Sequence, residues 1–122
     1  MKYFFDKSII GSGDYYFLLF LINRNPLSND YTKEYIKDMD EYRKNLLNFR
    51  ITYLPTLIRH FYHGSKKNRN YDTRHNILIQ NKYDPNKHLK YNKDGLLEYS
   101  KECPEKLKKD LYEYFTMRRE EQ

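Results

Sequence analysis

Two short stretches of this 122-residue chain hold residues whose types and spacing suit chemistry. The first is Asp6-Lys7-Ser8-Ile9-Ile10-Gly11-Ser12-Gly13-Asp14. Gly11 and Gly13 allow positive φ and close backbone approach around Ser12, so this turn can hold a carboxylate, Asp14, against a ligand. The plainer reading of the same residues is an aspartate at the start of a buried helix, where its charge meets the positive end of the helix. The stretch is not a dinucleotide fingerprint, because Tyr15 and Tyr16 stand where a third glycine is needed.

The second stretch is His60-Phe61-Tyr62-His63-Gly64-Ser65-Lys66-Lys67-Asn68-Arg69, with Arg74 close behind. Two histidines three apart share a face on a helix but point to opposite faces on a strand, so on a strand only one reaches a given site. An imidazole beside several cations suits a diphosphate, which takes both a metal and hydrogen-bond donors. The plainer alternatives are an ordinary hydrogen-bonded histidine and a solvated basic loop, or a loop that contacts nucleic-acid phosphates. No zinc-type Cys/His spacing, no Walker motif and no supported Ser-His-Asp order is present.

The elements that must position these residues follow from hydrophobic spacing. Residues 1–10 read as a short strand that ends at the Gly11–Gly13 break, and a helix is expected to start near Asp14. The uniformly apolar residues 15–22 read as a buried element. Residues 23–30 form a loop. Tyr35, Met39, Tyr42, Leu46 and Phe49 recur at spacings of four and three, which predicts a helix with Asp30 as N-cap. Residues 51–63 read as a strand. Asp72 and Thr73 can cap a helix to about Lys82, and Asp84-Pro85-Asn86 is a turn. Residues 87–99 look irregular, with Asp94-Gly95 as a second turn. A last helix runs from Pro104 to about Arg119, with Leu107, Leu111, Tyr114 and Phe115 inward. The order predicts an α/β domain of few strands and four helices, spanning residues 1–122. Two strands make a poor independent sheet, so further strands are expected from elsewhere.

Composition bounds the partners. Fourteen Tyr and seven Phe allow a packed core despite the hydrophilic balance, and the net charge of +6 favours anionic partners. A Lys-rich solvated surface accounts for the same charge. The single cysteine, Cys103, has no histidine beside it and reads as incidental. The cysteine usage suits a reducing compartment. No apolar run reaches the ~20 residues that a membrane helix needs. A cytoplasmic location is therefore the expectation.

Together the two stretches resemble a glycosyltransferase family. Phe5-Asp6-Lys7-Ser8-Ile9-Ile10-Gly11-Ser12-Gly13-Asp14 is followed by His63-Gly64-Ser65-Lys66-Lys67-Asn68-Arg69-Asn70-Tyr71, Arg74, Tyr83-Asp84-Pro85, Asp94-Gly95 and Tyr114-Phe115-Thr116-Met117-Arg118-Arg119-Glu120-Glu121. This succession is similar to the C-terminal half of the GT-A glycosyltransferases common in phages and large DNA viruses. The pattern there is H-x-x-HGSRKNRQY-x-x-R, then FDP, a DG turn and a closing YF-x-x-R-x-E-D helix. More distantly it resembles the β-1,4-galactosyltransferase-like enzymes.

The resemblance implies the C-terminal portion of a Rossmann-like nucleotide-diphospho-sugar transferase fold. It implies Asp14 as the acceptor-side catalytic carboxylate and His63 as the ligand of Mn²⁺ or Mg²⁺. Gly11, Ser12, Gly13, Lys66, Lys67, Asn68, Arg69 and Arg74 become substrate-binding, with Lys66, Lys67 and Arg69 facing the diphosphate of a nucleotide sugar. The acceptor is a glycan or a protein, and the location, if the chain is viral, is the host cytoplasm. A GT-A enzyme begins with a nucleotide-binding half that ends in an Asp-x-Asp metal motif, and no such half precedes Asp6. Asp38-Met39-Asp40 has the letters but falls on the amphipathic helix, where solvated carboxylates are expected. The expectation is therefore an incomplete enzyme, inactive alone and weak in metal binding, that self-associates or joins a separate N-terminal half chain. The competing expectation is a small basic nucleic-acid-binding protein, with the Lys/Arg loop on phosphates and Tyr rings for stacking.

Overall fold

The computed structural model describes residues 5–24, 28–46, 49–50, 52, 54–59 and 65–118. Among these, α1 is Gly13–Leu21, α2 is Lys33–Leu46, α3 is Asn76–Gln80, α4 is Pro85–His88 and α5 is Glu105–Met117. The strands β1 (Leu89–Tyr91) and β2 (Leu97–Tyr99) pair antiparallel, with Leu89 opposite Tyr99 and Tyr91 opposite Leu97. A 3₁₀ turn covers Lys66–Arg69. The architecture is mixed α and β: among the described residues, five helices and one small antiparallel hairpin.

The helices obey the spacing of their apolar residues. Tyr35, Met39, Tyr42 and Leu46 are buried along one face of α2, and Leu107, Leu111 and Tyr114 along one face of α5. Phe49, placed on the first of these faces by its spacing, lies beyond the end of α2 and is exposed, and Phe115 turns partly to solvent. Helix α2 starts behind Thr32, whose hydroxyl accepts from the Tyr35 amide at 3.3 Å and donates to the Tyr83 carbonyl, so Thr32 serves where Asp30 was expected. Asp84 starts α4 by accepting from the Asn86 amide at 2.9 Å, with Pro85 at the first helical position.

Residues 5–12 are turns, not the end of a strand: the Ser8 amide donates to the Phe5 carbonyl and the Gly11 amide to the Ser8 carbonyl. Residues 54–59 carry no strand, and Leu54, Leu57 and Ile58 stand exposed, because no neighbouring strand pairs with them among the described residues. The sheet lies instead at residues 89–99, expected to be irregular. There Asn92 and Gly95 close the hairpin: the Asn92 amide donates to the Leu96 carbonyl at 2.9 Å, and Gly95 takes φ 77°. The apolar run 15–22 is also only half inward. Tyr16 and Phe20 are buried, while Tyr15, Leu18 and Ile22 are exposed.

The core is largely aromatic. The fully buried Tyr35 ring meets those of Tyr31, Tyr83 and Phe5 at centroid distances of 5.2, 5.3 and 5.9 Å. Its hydroxyl donates to Ser8 Oγ at 3.3 Å, and the Tyr83 hydroxyl donates to the Lys7 carbonyl at 2.8 Å. The 5–12 segment is thus fastened to the core by phenol hydroxyls, each of which would be costly to bury unpartnered. Lys7 adds an ion pair to Asp38, which also accepts from Asn86. Asp38 is therefore ion-paired and largely covered, not the solvated carboxylate expected.

Replacing Tyr35 tests this arrangement. Tyr35→Phe should cost about 1 kcal/mol through the lost hydroxyl bond, and Tyr35→Ala about 3–5 kcal/mol through the cavity. Tyr112→Ala, at an exposed ring, should stay within about 0.5 kcal/mol of the parent in urea denaturation.

Candidate functional site

Ser12 precedes α1 in the left-handed conformation, φ 73° and ψ 10°, which costs a non-glycine residue about 1 kcal/mol or more. The side chain of an N-cap serine ordinarily accepts from a first-turn amide, but Ser12 makes no such bond. Its Oγ accepts from the Arg74 guanidinium instead and lies 3.2 Å from Nε2 of His75. Gly11, at φ 93°, lets the turn pass close to Arg74: a Cβ there would sit 3.4 Å from Nη1.

Arg74 is held by partners from far along the chain. One guanidinium nitrogen donates to Ser12, the other to the Tyr114 hydroxyl of α5 at 3.3 Å, and the carbon between them lies 4.8 Å above the Tyr71 ring. Tyr114 in turn donates to the Arg69 carbonyl at 3.0 Å, and Arg69 donates to the Tyr71 hydroxyl at 2.6 Å. The turn 71–75 is thereby pressed against α1 on one side and α5 on the other.

Between these parts opens a cavity of about 600 Å³, lined among others by Ser12, Tyr15, Tyr31, Tyr71, Arg74 and His75. Asp30 and Asp72 bring two exposed carboxylates to the same wall, and Asn76 an amide. Burial, and then the Arg74 guanidinium, lower the His75 imidazole from its usual range to about 4. It is therefore neutral near pH 7. With Oγ of Ser12 already accepting from Arg74, its own proton can go to Nε2. That places the imidazole hydrogen on Nδ1, 3.5 Å from the Tyr16 hydroxyl. Burial, and then Tyr31, push the Tyr16 phenol up, and burial does the same to Tyr31, so both stay neutral hydrogen-bonding groups.

Of the residues singled out in the sequence, Ser12 and Arg74 line this cavity, and Gly11 and Gly13 shape the turn that carries Ser12. Asp14 stands exposed in the first turn of α1, outside the cavity wall. Lys66 and Lys67 are exposed on the 3₁₀ turn, Asn68 and Arg69 half-buried beside them, and none of the four lines the cavity. His63, like His60, lies outside the described residues. Among the described residues no three His, Cys, Asp or Glu side chains gather as a metal ion would require. Sequence reasoning passed over His75 and Tyr31, and it named Tyr71 only as the end of the basic motif and Asp30 and Asp72 only as helix caps. The only signal for His75 was its place next to Arg74; for the others, nothing in spacing links residue 30 to residue 72.

Comparison with known proteins returned no matching family model, no matching curated protein and no matching solved structure. No helix among the described residues is long and apolar enough to cross a membrane.

Two predictions follow from the geometry. The His75 imidazole is depressed in the folded chain, so stability is unaffected above about pH 6.5, where both states are neutral. It falls as pH drops towards about 4, because the unfolded chain takes up a proton that the folded chain refuses. His75→Gln should flatten this part of the pH profile in thermal melts. Gly11→Ala and Gly95→Ala both place alanine at positive φ and should each cost about 1–2 kcal/mol. Only the first brings a Cβ into contact with Arg74, at 3.4 Å, since a Cβ at Gly95 meets nothing within 4 Å. Only Gly11→Ala should therefore perturb the Tyr71 ring signals in NMR spectra.

Proposed function

We propose that the chain is the C-terminal, acceptor-side part of a GT-A-type glycosyltransferase and that the cavity beside Ser12 receives a sugar. The observation that carries this reading is the meeting of two motifs 62 residues apart in sequence. Ser12, from the Gly-Ser-Gly turn, and Arg74, from the end of the basic motif, are bonded to each other on one cavity wall.

The wall has the chemistry a sugar needs. The half-exposed rings of Tyr15 and Tyr71 offer apolar faces to the C–H side of a pyranose, and Asp30, Asp72 and Asn76 offer acceptors and donors to its hydroxyls. In the transfer the acceptor oxygen bonds to the anomeric carbon of the donor sugar as the bond to the diphosphate breaks, and a carboxylate takes the hydroxyl proton. Asp14, exposed in the first turn of α1 outside the cavity wall, is the carboxylate assigned to that proton. Lys66, Lys67 and Arg69 stabilise the departing diphosphate. The Mn²⁺ or Mg²⁺ that the resemblance attaches to His63 finds no ligand cluster among the described residues, and no step here passes through it.

A second reading, a small basic nucleic-acid-binding protein, draws on the exposed Lys66 and Lys67 close to the half-exposed Tyr71 ring. Saturation-transfer NMR with monosaccharides, beside titration with a single-stranded oligonucleotide, separates the two. On the sugar reading, Tyr71→Ala weakens sugar binding about three- to tenfold, while Lys66→Ala with Lys67→Ala leaves it unchanged. Tight oligonucleotide binding that the double lysine variant abolishes, with no response to any sugar, would sink the sugar reading.

A further inference from the structure

Arg74 is 8% exposed, yet among the described residues the partners of its guanidinium are all neutral: the Ser12 hydroxyl, the Tyr114 hydroxyl and the Tyr71 ring. Its Nε is buried with no partner at all. A charge taken out of water is costly unless an opposite charge meets it, and neutral hydroxyls restore only part of the loss. The charge also bears on its neighbour His75, where it adds to burial in holding the imidazole neutral.

A second positive feature meets the first. Helix α1, nine residues long, begins at this wall, and its first-turn amides receive no side-chain cap from Ser12. Uncapped amides at a helix N-terminus favour an anion. The carboxylates on the wall, Asp30 and Asp72, belong to exposed residues, where water screens them and where they suit hydroxyl groups. The cavity is thus polarised, with a cationic seat at Ser12 and Arg74 and a rim of carboxylates and Tyr rings.

We infer that the sugar received here is an acidic one, with its oxyanion, carboxylate or phosphate, seated between Arg74 and the N-terminus of α1. This inference rests on the sugar-site reading above and narrows it to a class of ligand. The hydroxyls of such a sugar meet Asp30, Asp72 and Asn76, and its ring lies against Tyr15 or Tyr71.

The test is NMR titration of the isotope-labelled full chain with glucose, glucuronate, glucose 6-phosphate, inorganic phosphate and uridine diphosphate. The Arg74 side-chain signals and the Tyr71 ring signals are followed. The expected result is that glucuronate and glucose 6-phosphate bind at least about tenfold more tightly than glucose and shift both sets of signals, as a charge-assisted contact should. Arg74→Lys should cut that preference to about threefold or less. Ser12→Ala, which keeps the guanidinium and disturbs the fold less, should reduce it in the same direction. Tyr112→Ala, at an exposed ring of α5 outside the cavity wall, should leave it intact.

Equal binding of glucose and glucuronate, with Arg74 unmoved, would overturn the acidic-sugar inference and leave the sugar site standing. Phosphate or uridine diphosphate shifting Arg74 while no sugar binds would overturn it too, and would remove the sugar reading while keeping the anion seat. No shift with any of the five would remove both.

Discussion

The rest of the structure depends on one buried cation. Arg74 reaches the Ser12 turn ahead of α1 and the Tyr114 hydroxyl of α5, and it covers the ring of Tyr71 in its own turn. No apolar contact substitutes for it, because each of these groups is polar and requires a donor or a cation in a fixed direction. The consequences are local and specific. Ser12 gives up the usual capping role of its position and holds a left-handed backbone, His75 stays neutral, and the cavity has a fixed wall. A fold of short helices and a three-residue hairpin gains a rigid centre at the place where a ligand would sit.

The second constraint is the tyrosine-rich core. A core of Leu and Ile asks only for volume, whereas each buried phenol also asks for a partner at its hydroxyl. For Tyr35 and Tyr83 the partners are Ser8 and the Lys7 carbonyl, both in the 5–12 segment. The segment has no strand or helix of its own to hold it, so the phenols and the Lys7–Asp38 ion pair decide where the Gly11–Gly13 turn comes to rest. The core thus positions the candidate site directly: Tyr35 and Tyr83 fix the approach to the turn, and Tyr16 and Tyr31 pass from the core into the cavity wall.

A functional reading has to respect the division between cavity and surface. The exposed lysines of the 3₁₀ turn and Asp14 stand outside the wall, while Ser12, Arg74 and His75 stand within it. Glycosyl transfer needs a site for a neutral or acidic sugar and a separate site for a diphosphate leaving group. The proposed reading gives the cavity to the sugar and the surface cations to the diphosphate. Leu54, Leu57 and Ile58 stand exposed on a stretch that has neither helix nor strand among the described residues.

The sequence by itself determined the helices that carry their own periodicity. Tyr35, Met39, Tyr42 and Leu46 define the inward face of α2, and Leu107, Leu111 and Tyr114 that of α5, because a 3.6-residue repeat puts such residues on one side wherever the helix packs. The Gly-Ser-Gly turn and the Asp94-Gly95 turn were equally legible, since local backbone geometry selects glycine there. The strands were not. Residues 51–63 have β-branched and aromatic composition, but a strand exists only where another strand pairs with it, and among the described residues none lies beside 54–59. The pairing that does occur, Leu89 to Tyr99, is set by the hairpin turn between them. The site was legible only in halves. Gly11–Gly13 and Arg74 were each visible as motifs, but their contact, and the arrival of Tyr31, Asp72 and His75 at the same wall, came from packing. Side-chain direction in a folded chain depends on neighbours 40 to 60 residues away, and no local spacing records it.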